Sequence, residues 1–293
     1  MNRAVACAAL AAILLAACGG GGGAKKTAAK GGTTTSSEET TSTAAGSSTT
    51  AAGAAGATAT TKAAAKPGTA GGPTVNGKPA NNYTPPAGAT PAKPTAPGTY
   101  HYDTSGSSTV GAQSSAPPSV TPLVVDPPAG TRQHSARDER DSSGNGSLTE
   151  TTLDFQPQGV YLVEIKVTTK AGTLGSQTLD FVANPPALAA PTGVKPGQSV
   201  EFDLSGSGTN IHVHIDFVRM ETLTIGGQAV DTMFIHQVGT LSGQINGTQT
   251  SDSWVAPQYD LFVKDHTVAD LTAYGSIKAH SDITSQLQKL TPG

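Results

Sequence analysis

The sequence predicts an all-β fold: an antiparallel meander curled into a half-barrel or barrel, preceded by a long disordered stalk. Three observations carry this. From about Gly98 onward, short runs rich in β-branched residues recur at roughly 8–15-residue spacing. Clusters of Gly, Pro, Asn and Asp separate them. No stretch of about 12 or more residues shows a capped helical apolar period.

The runs are, in order, Tyr100–Thr104, Ser119–Val125, Arg132–Asp138, Leu148–Phe155, Val160–Thr169, Leu174–Val182, Ser199–Leu204, Asn210–Ile225, Gln228–Val238, Thr240–Thr250, Asp260–His266 and Leu271–Leu287. The last also permits a short helix through Ile283, Leu287 and Leu290, but the alternation of Ile277, Ala279, Ile283 and Leu287 favours a strand. Ile225-Gly226-Gly227-Gln228 is a hairpin signal, because a primed turn needs φ > 0, which Gly-Gly adopts freely. Gly144-Asn145-Gly146, Pro157-Gln158-Gly159 and Lys195-Pro196-Gly197 supply further turns. Consecutive hairpins without crossover helices make the sheet antiparallel. Asn210–Ile225 is longer than an ordinary strand, so the sheet must coil or bend. A sheet curled around an apolar cavity is the preferred arrangement; a closed barrel and a sandwich are its alternatives.

The N-terminus carries a different message. Arg3 precedes an uninterrupted apolar run, Ala4 to Leu14, with the order and length of an export signal. That run is shorter than the roughly 20 residues a membrane-spanning helix requires. It ends in Leu15-Ala16-Ala17-Cys18-Gly19, which resembles the lipobox of bacterial lipoproteins. A cysteine is required there because its thiolate accepts the lipid, and small neighbours admit the peptidase. Residues 1–17 are therefore read as signal peptide, and Cys18 as the site of lipid attachment. Removal of the signal also removes Cys7, so the mature chain has one cysteine and no internal disulfide. Two or more acyl chains place the protein on the cell membrane, at its extracytoplasmic face.

Residues 18–97 read as the anchor followed by a disordered linker, and 98–293 as the β domain. The linker is Gly, Ala, Thr, Ser, Lys and Pro, with Val75 and Tyr83 almost its only large apolar side chains, too few to offset chain entropy. Its second half is rich in proline and stiffer. Such a segment is either a tether that spaces the domain from the membrane or a spacer of no particular length.

Few residues suggest chemistry. In Ile211-His212-Val213-His214-Ile215-Asp216-Phe217, a strand would turn His212, His214 and Asp216 to one face, offering two imidazoles and a carboxylate as metal ligands. The outer two lie some 13 Å apart at about 3.3 Å per residue, too far for one metal without a bend, so the polar face of an amphipathic strand is preferred. Asp141 to Gly146 partly resembles a calcium loop, but Thr152 stands where a bidentate Glu belongs, and a hairpin turn is expected. Arg132, Arg137, Asp138, Glu139, Arg140 and Asp141 read as a solvated charge run. Trp254 reads as a core or rim anchor. There is no nucleophile elbow, zincin motif or P-loop, and no enzyme is expected. A net charge of −3 and 4% aromatic residues speak against nucleic-acid binding.

Gly98-Thr99-Tyr100-His101-Tyr102, Lys195 to Phe202, the Gly226-Gly227 hairpin, Trp254 to Pro257 and Leu261 to Lys264 together resemble uncharacterised envelope lipoproteins of high-GC Gram-positive bacteria, with a LolA-like curved antiparallel β domain. The resemblance implies a concave apolar face that holds acyl chains, and identifies no catalytic residue and no cofactor. The expected function is an anchored lipoprotein that binds a lipid or other apolar ligand without catalysis. The alternatives are a structural or protein-interaction module and, third, a metal-dependent enzyme built on His212 and His214.

Overall fold

The computed structural model describes residues 73–170 and 176–293; residues 1–17, Cys18 and most of the expected linker lie outside them. The strands are β1 (Thr74–Val75), β2 (Lys78–Pro79), β3 (Gly98–Val110), β4 (Gln113–Ser115), β5 (Val120–Val125), β6 (Arg132–Asp138), β7 (Gly146–Gln156), β8 (Gly159–Lys170), β9 (Ser176–Pro191), β10 (Gln198–Gly206), β11 (Thr209–Ile225), β12 (Gln228–Gly243), β13 (Ile245–Ala256), β14 (Leu261–Ala273) and β15 (Ile277–Leu287). Twelve of them form a ring in the order β11-β12-β13-β14-β15-β3-β5-β6-β7-β8-β9-β10. Antiparallel pairing of β10 with β11, from Gln198↔Phe217 to Gly206↔Thr209, closes it. The chain is thus a closed barrel rather than a half-barrel.

The sequence runs follow the barrel strands in the same order, Leu174 and Gly175 of the sixth lying outside the described residues, and the C-terminal segment is extended. Two boundaries move. β12, which carries the run Gln228–Val238, continues past Val238 to Gly243, so the turn falls at Gln244. Leu271 belongs to β14, and the turn that follows is built on Tyr274 and Gly275, both at positive φ. A tyrosine in the left-handed region is a signal that composition does not give.

Residues 73–97 correct the expected boundary of the linker at 97. They form a packed strap. β1 pairs with β10 through Thr74↔Glu201 and Val75↔Val200, and with β2 as a hairpin. A 3-10 turn, Ala80–Asn82, follows. The Tyr83 hydroxyl donates to the Thr192 carbonyl at 2.6 Å. The Thr95 amide donates to Gln133 Oε1 at 2.8 Å, and Gln133 Nε2 returns a bond to the Thr95 carbonyl at 2.7 Å. Thr95 Oγ1 and the Lys93 amide both donate to Asp260. Val75, Ala80 and Thr95 are buried. These residues lack a core of their own, but the barrel end supplies one. β10 and β3, which the strap joins, stand half the ring apart, so it crosses the mouth formed by the β5–β6, β7–β8, β9–β10 and β13–β14 loops.

Candidate functional site

The barrel interior has two walls of opposite character. On β8 to β12, alternate residues are apolar and buried: Leu162, Ile165 and Val167; Leu179, Phe181 and Ala183; Val200, Phe202 and Leu204; Ile211, Val213, Ile215 and Phe217; Met233, Ile235 and Leu241. On β13, β14, β15, β3 and β7 many of the buried positions are polar, with Val255, Leu271, Ile283, Val110 and Phe155 among the apolar exceptions toward the ends and between them. Registered neighbours run across this wall as Ser253–Asp265–Ser285–Thr104, as Gln237–Ser251–Thr267–Ile283–Gly106, and as Gln249–Ala269–Ser281–Ser108. Ser281 and Ser285 are fully buried, as is most of the wall. Oγ of Ser108 and Ser281, Oγ1 of Thr149 and Thr151, Oε1 of Gln237 and Oδ2 of Asp265 are buried without a hydrogen-bond partner among the described residues. Each such atom costs about 1–3 kcal/mol of desolvation.

A buried charge cluster spans the polar wall. Arg137 of β6 reaches across the interior so that Nε lies 3.0 Å from Glu139 Oε1 and Nη1 donates to Asp265 Oδ1 of β14 at 3.1 Å. Its Nη2 donates to Ser285 Oγ of β15. The guanidinium carbon sits 4.9 Å from the centroid of the Tyr102 ring, whose hydroxyl donates to the Phe262 carbonyl at 2.8 Å. One cation thus faces two carboxylates away from water. Burial pushes the Glu139 carboxyl above the usual glutamate range, against the opposing Arg137 charge and helped by Asp265. Burial likewise pushes the Tyr102 phenol up. This corrects the solvated charge run expected at 132–141 for two of its members, Arg137 and Glu139; Arg132 and Arg140 are exposed, and Asp138 and Asp141 part-exposed. Gln133 and Arg137 are buried members of β6, which alternates, and Glu139 follows it; Gln133 is held by Thr95, while the Asp265 and Ser285 partners of Arg137 lie more than a hundred residues away.

The expected ligand residues face outward. His212 Nδ1 lies 2.9 Å from Asp203 Oδ1, while His214 lies between Glu201 at 2.8 Å and Asp216 at 3.0 Å. They belong to a wider pattern: His236–Asp252, His266–Asp282, His280–Asp270 and His134–Asp126 pair across neighbouring strands at 2.7–2.9 Å. These are exposed cross-strand pairs, each of small energy. Among the described residues no group of three or more His, Cys, Asp or Glu is placed to hold a metal ion. Asp141 Oδ1 accepts the amides of Ser143 and Asn145, which makes 141–145 the hairpin turn expected between β6 and β7. Trp254 is half-buried on the outer face, its ring centroid 5.0 Å from that of Phe234 and 4.6 Å from Lys264 Nζ. Its indole N–H donates to Glu221.

The ring has one weak joint. β9 and β10 share a single registered pair, Val182↔Ser205, near the end away from the strap. Beyond Ala183, β9 continues to Pro191 along β8 only, and Pro185 and Pro186 have no N–H to extend a ladder toward β10. The vacated edge of β10 pairs instead with β1. Asn76 completes that contact: its amide donates to the Ser199 carbonyl at 2.8 Å, and its Oδ1 accepts the Ser199 amide at 2.8 Å. Beside this hairpin lies a groove of about 340 Å³ lined by Val75, Asn76, Lys78, Pro79, Asn82, Tyr83 and Thr84. Sequence reasoning placed all of these in the linker. Asn76-Gly77, a turn dipeptide, and the isolated Val75 and Tyr83 were the available signals.

No protein-family model matches the chain, and no curated protein matches it. Two solved structures are similar. One is a protein assigned as exported, with a YmcC-like fold, from Bacteroides fragilis: 11% identity, 68% of this chain and 98% of that chain covered, TM-score 0.34. The other is assigned as a lipoprotein of Parabacteroides distasonis: 12% identity, 69% and 98% covered, TM-score 0.35. Likeness at this level carries no argument about this chain.

Proposed function

We propose that this chain is an extracytoplasmic lipoprotein, anchored to the membrane through Cys18, whose barrel takes up a lipid-like amphiphile without converting it. The observation that carries this reading is the two-sided interior. An acyl chain suits the Phe181, Phe202 and Phe217 wall, and a polar portion suits the unpartnered Ser, Thr and Gln atoms opposite. The expected apolar ligand becomes an amphipathic one. A ring of twelve strands is also about half again as wide as the eight-strand ring that side chains alone fill.

The test is native mass spectrometry of the full chain purified from membranes of a bacterial host that exports it. A mass excess beyond the Cys18 anchor, released by organic solvent, is the expected result. A bare mass would end this reading and leave the protein-interaction module. That second reading draws support from the close packing of the interior, where Ile211, Val213, Ile215 and Phe217 have no exposed surface.

A further inference from the structure

We propose that the joint between β9 and β10 is the side entrance to the barrel, that the β1–β2 hairpin is its removable panel, and that the groove beside the panel seats the anionic head of a single-chain amphiphile. The inference rests on the ligand reading above. A closed antiparallel ring has no free edge, so a ligand reaches the interior through a mouth or through a break in the ladder. One mouth is crossed by the strap, which is held at Tyr83, Lys93 and Thr95. Among the barrel interfaces, β9–β10 is the one held by a single registered pair. What fills it is two residues of β1, themselves held by two registered pairs and the Asn76–Ser199 bonds.

The side chains behind the panel are those an acyl chain would meet. Val75 lies registered with Val200, and Phe181, Ala183, Leu188 and Phe202 belong with both to one apolar cluster. Displacing the panel exposes this cluster, and an acyl chain restores its burial at about 0.8 kcal/mol per CH₂. Thr74 Oγ1 and Thr192 Oγ1 are buried on either side of the joint without a hydrogen-bond partner among the described residues. Outside, the groove offers an exposed cation, Lys78, which makes no ion pair with any described residue, beside Asn82 and Thr84. That set suits a carboxylate or phosphate head whose tail passes under the panel.

Val75→Cys with Val200→Cys places two thiols at registered positions of the β1–β10 ladder, in full-length chain carrying Cys7→Ser and Cys18→Ser. The probe is the fluorescent fatty acid cis-parinaric acid. Oxidation should slow its uptake at least tenfold and reduction should restore it. A lock at the registered pair Thr168 and Thr178, on the outer face of β8 and β9, should leave uptake unchanged. Asn76→Ala, which removes the bond to Ser199 without adding a lock, should speed uptake severalfold. Equal uptake by the oxidised and reduced panel variants overturns the entrance and leaves the ligand reading standing. Failure of the unlocked chain to bind the probe at all overturns both.

Discussion

Arg137→Met isolates the buried charge cluster. Methionine retains most of the aliphatic stem, so the change removes the charge and its donors while keeping much of the packing. The side chains of Arg137, Glu139 and Asp265 are only 7%, 5% and 5% exposed, so water screens little of their interaction. Breaking such a group by removing one partner costs about 3–5 kcal/mol, because the remaining charges stay buried. Here Glu139 is already pushed toward its neutral form and absorbs part of the loss, which favours the lower end, about 3 kcal/mol. With a urea dependence of about 2–3 kcal/mol/M, the midpoint should fall by roughly 1–1.5 M. The assay is equilibrium urea unfolding at pH 7, followed by circular dichroism. Adding Glu139→Gln and Asp265→Asn to Arg137→Met should recover more than half of the loss, since no buried charge then lacks a partner. A midpoint shift below about 0.3 M for Arg137→Met alone would mean that the cluster is solvated, and the account of the polar wall would fail with it.

Glu139→Gln alone should change the pH dependence of stability. A carboxyl raised in the folded state contributes stability that is full below its ordinary value, near 4.3, and is lost as pH rises through the raised value. The variant should therefore gain on the parent between pH 4 and pH 8, read as the difference in urea midpoints; a constant difference would contradict the assignment. Gly106→Ala should destabilise by about 2 kcal/mol or more, because φ is +130° and the new Cβ would lie 2.0 Å from the Asp282 carbonyl oxygen. An unchanged thermal midpoint would show that β3 and β15 can part there at no cost. Cys18→Ala should abolish incorporation of radiolabelled fatty acid and release the chain from membranes; undiminished labelling would remove the anchor from the proposal.

The sequence reveals the strands where one barrel face is apolar. From Val200 to Phe217 the alternation is clean, because the inner residues belong to the apolar wall and the outer ones are His, Asp and Glu. On β13, by contrast, Gln249, Ser251 and Ser253 point inward while Thr248, Thr250 and Asp252 point outward, so both faces are polar and no period separates them. The inner wall of the candidate site is for this reason hidden in composition. Arg137 is hidden in another way: its burial depends on Asp265 and Ser285, and no local window contains all three. The strap was missed because its stability is borrowed. Pro, Gly and Ala dominate 73–97, yet the barrel mouth lends Val75, Ala80 and Thr95 a place to be buried.

The hairpin at the joint also fixes how the molecule answers a pull. Any tension along the chain ahead of Pro73 reaches the barrel through β1, whose grip on β10 is two registered pairs and the Asn76 bonds. The ring's own ladders lie behind that contact and bear no load until it gives way. Force then runs to the Tyr83 hydroxyl and next to the Asp260 and Gln133 bonds that hold Lys93 and Thr95, before it meets β3. The strap is a mechanical fuse in stages. A pull on Pro73 would part the side panel from β10 while the ladders of the twelve-strand wall stayed whole.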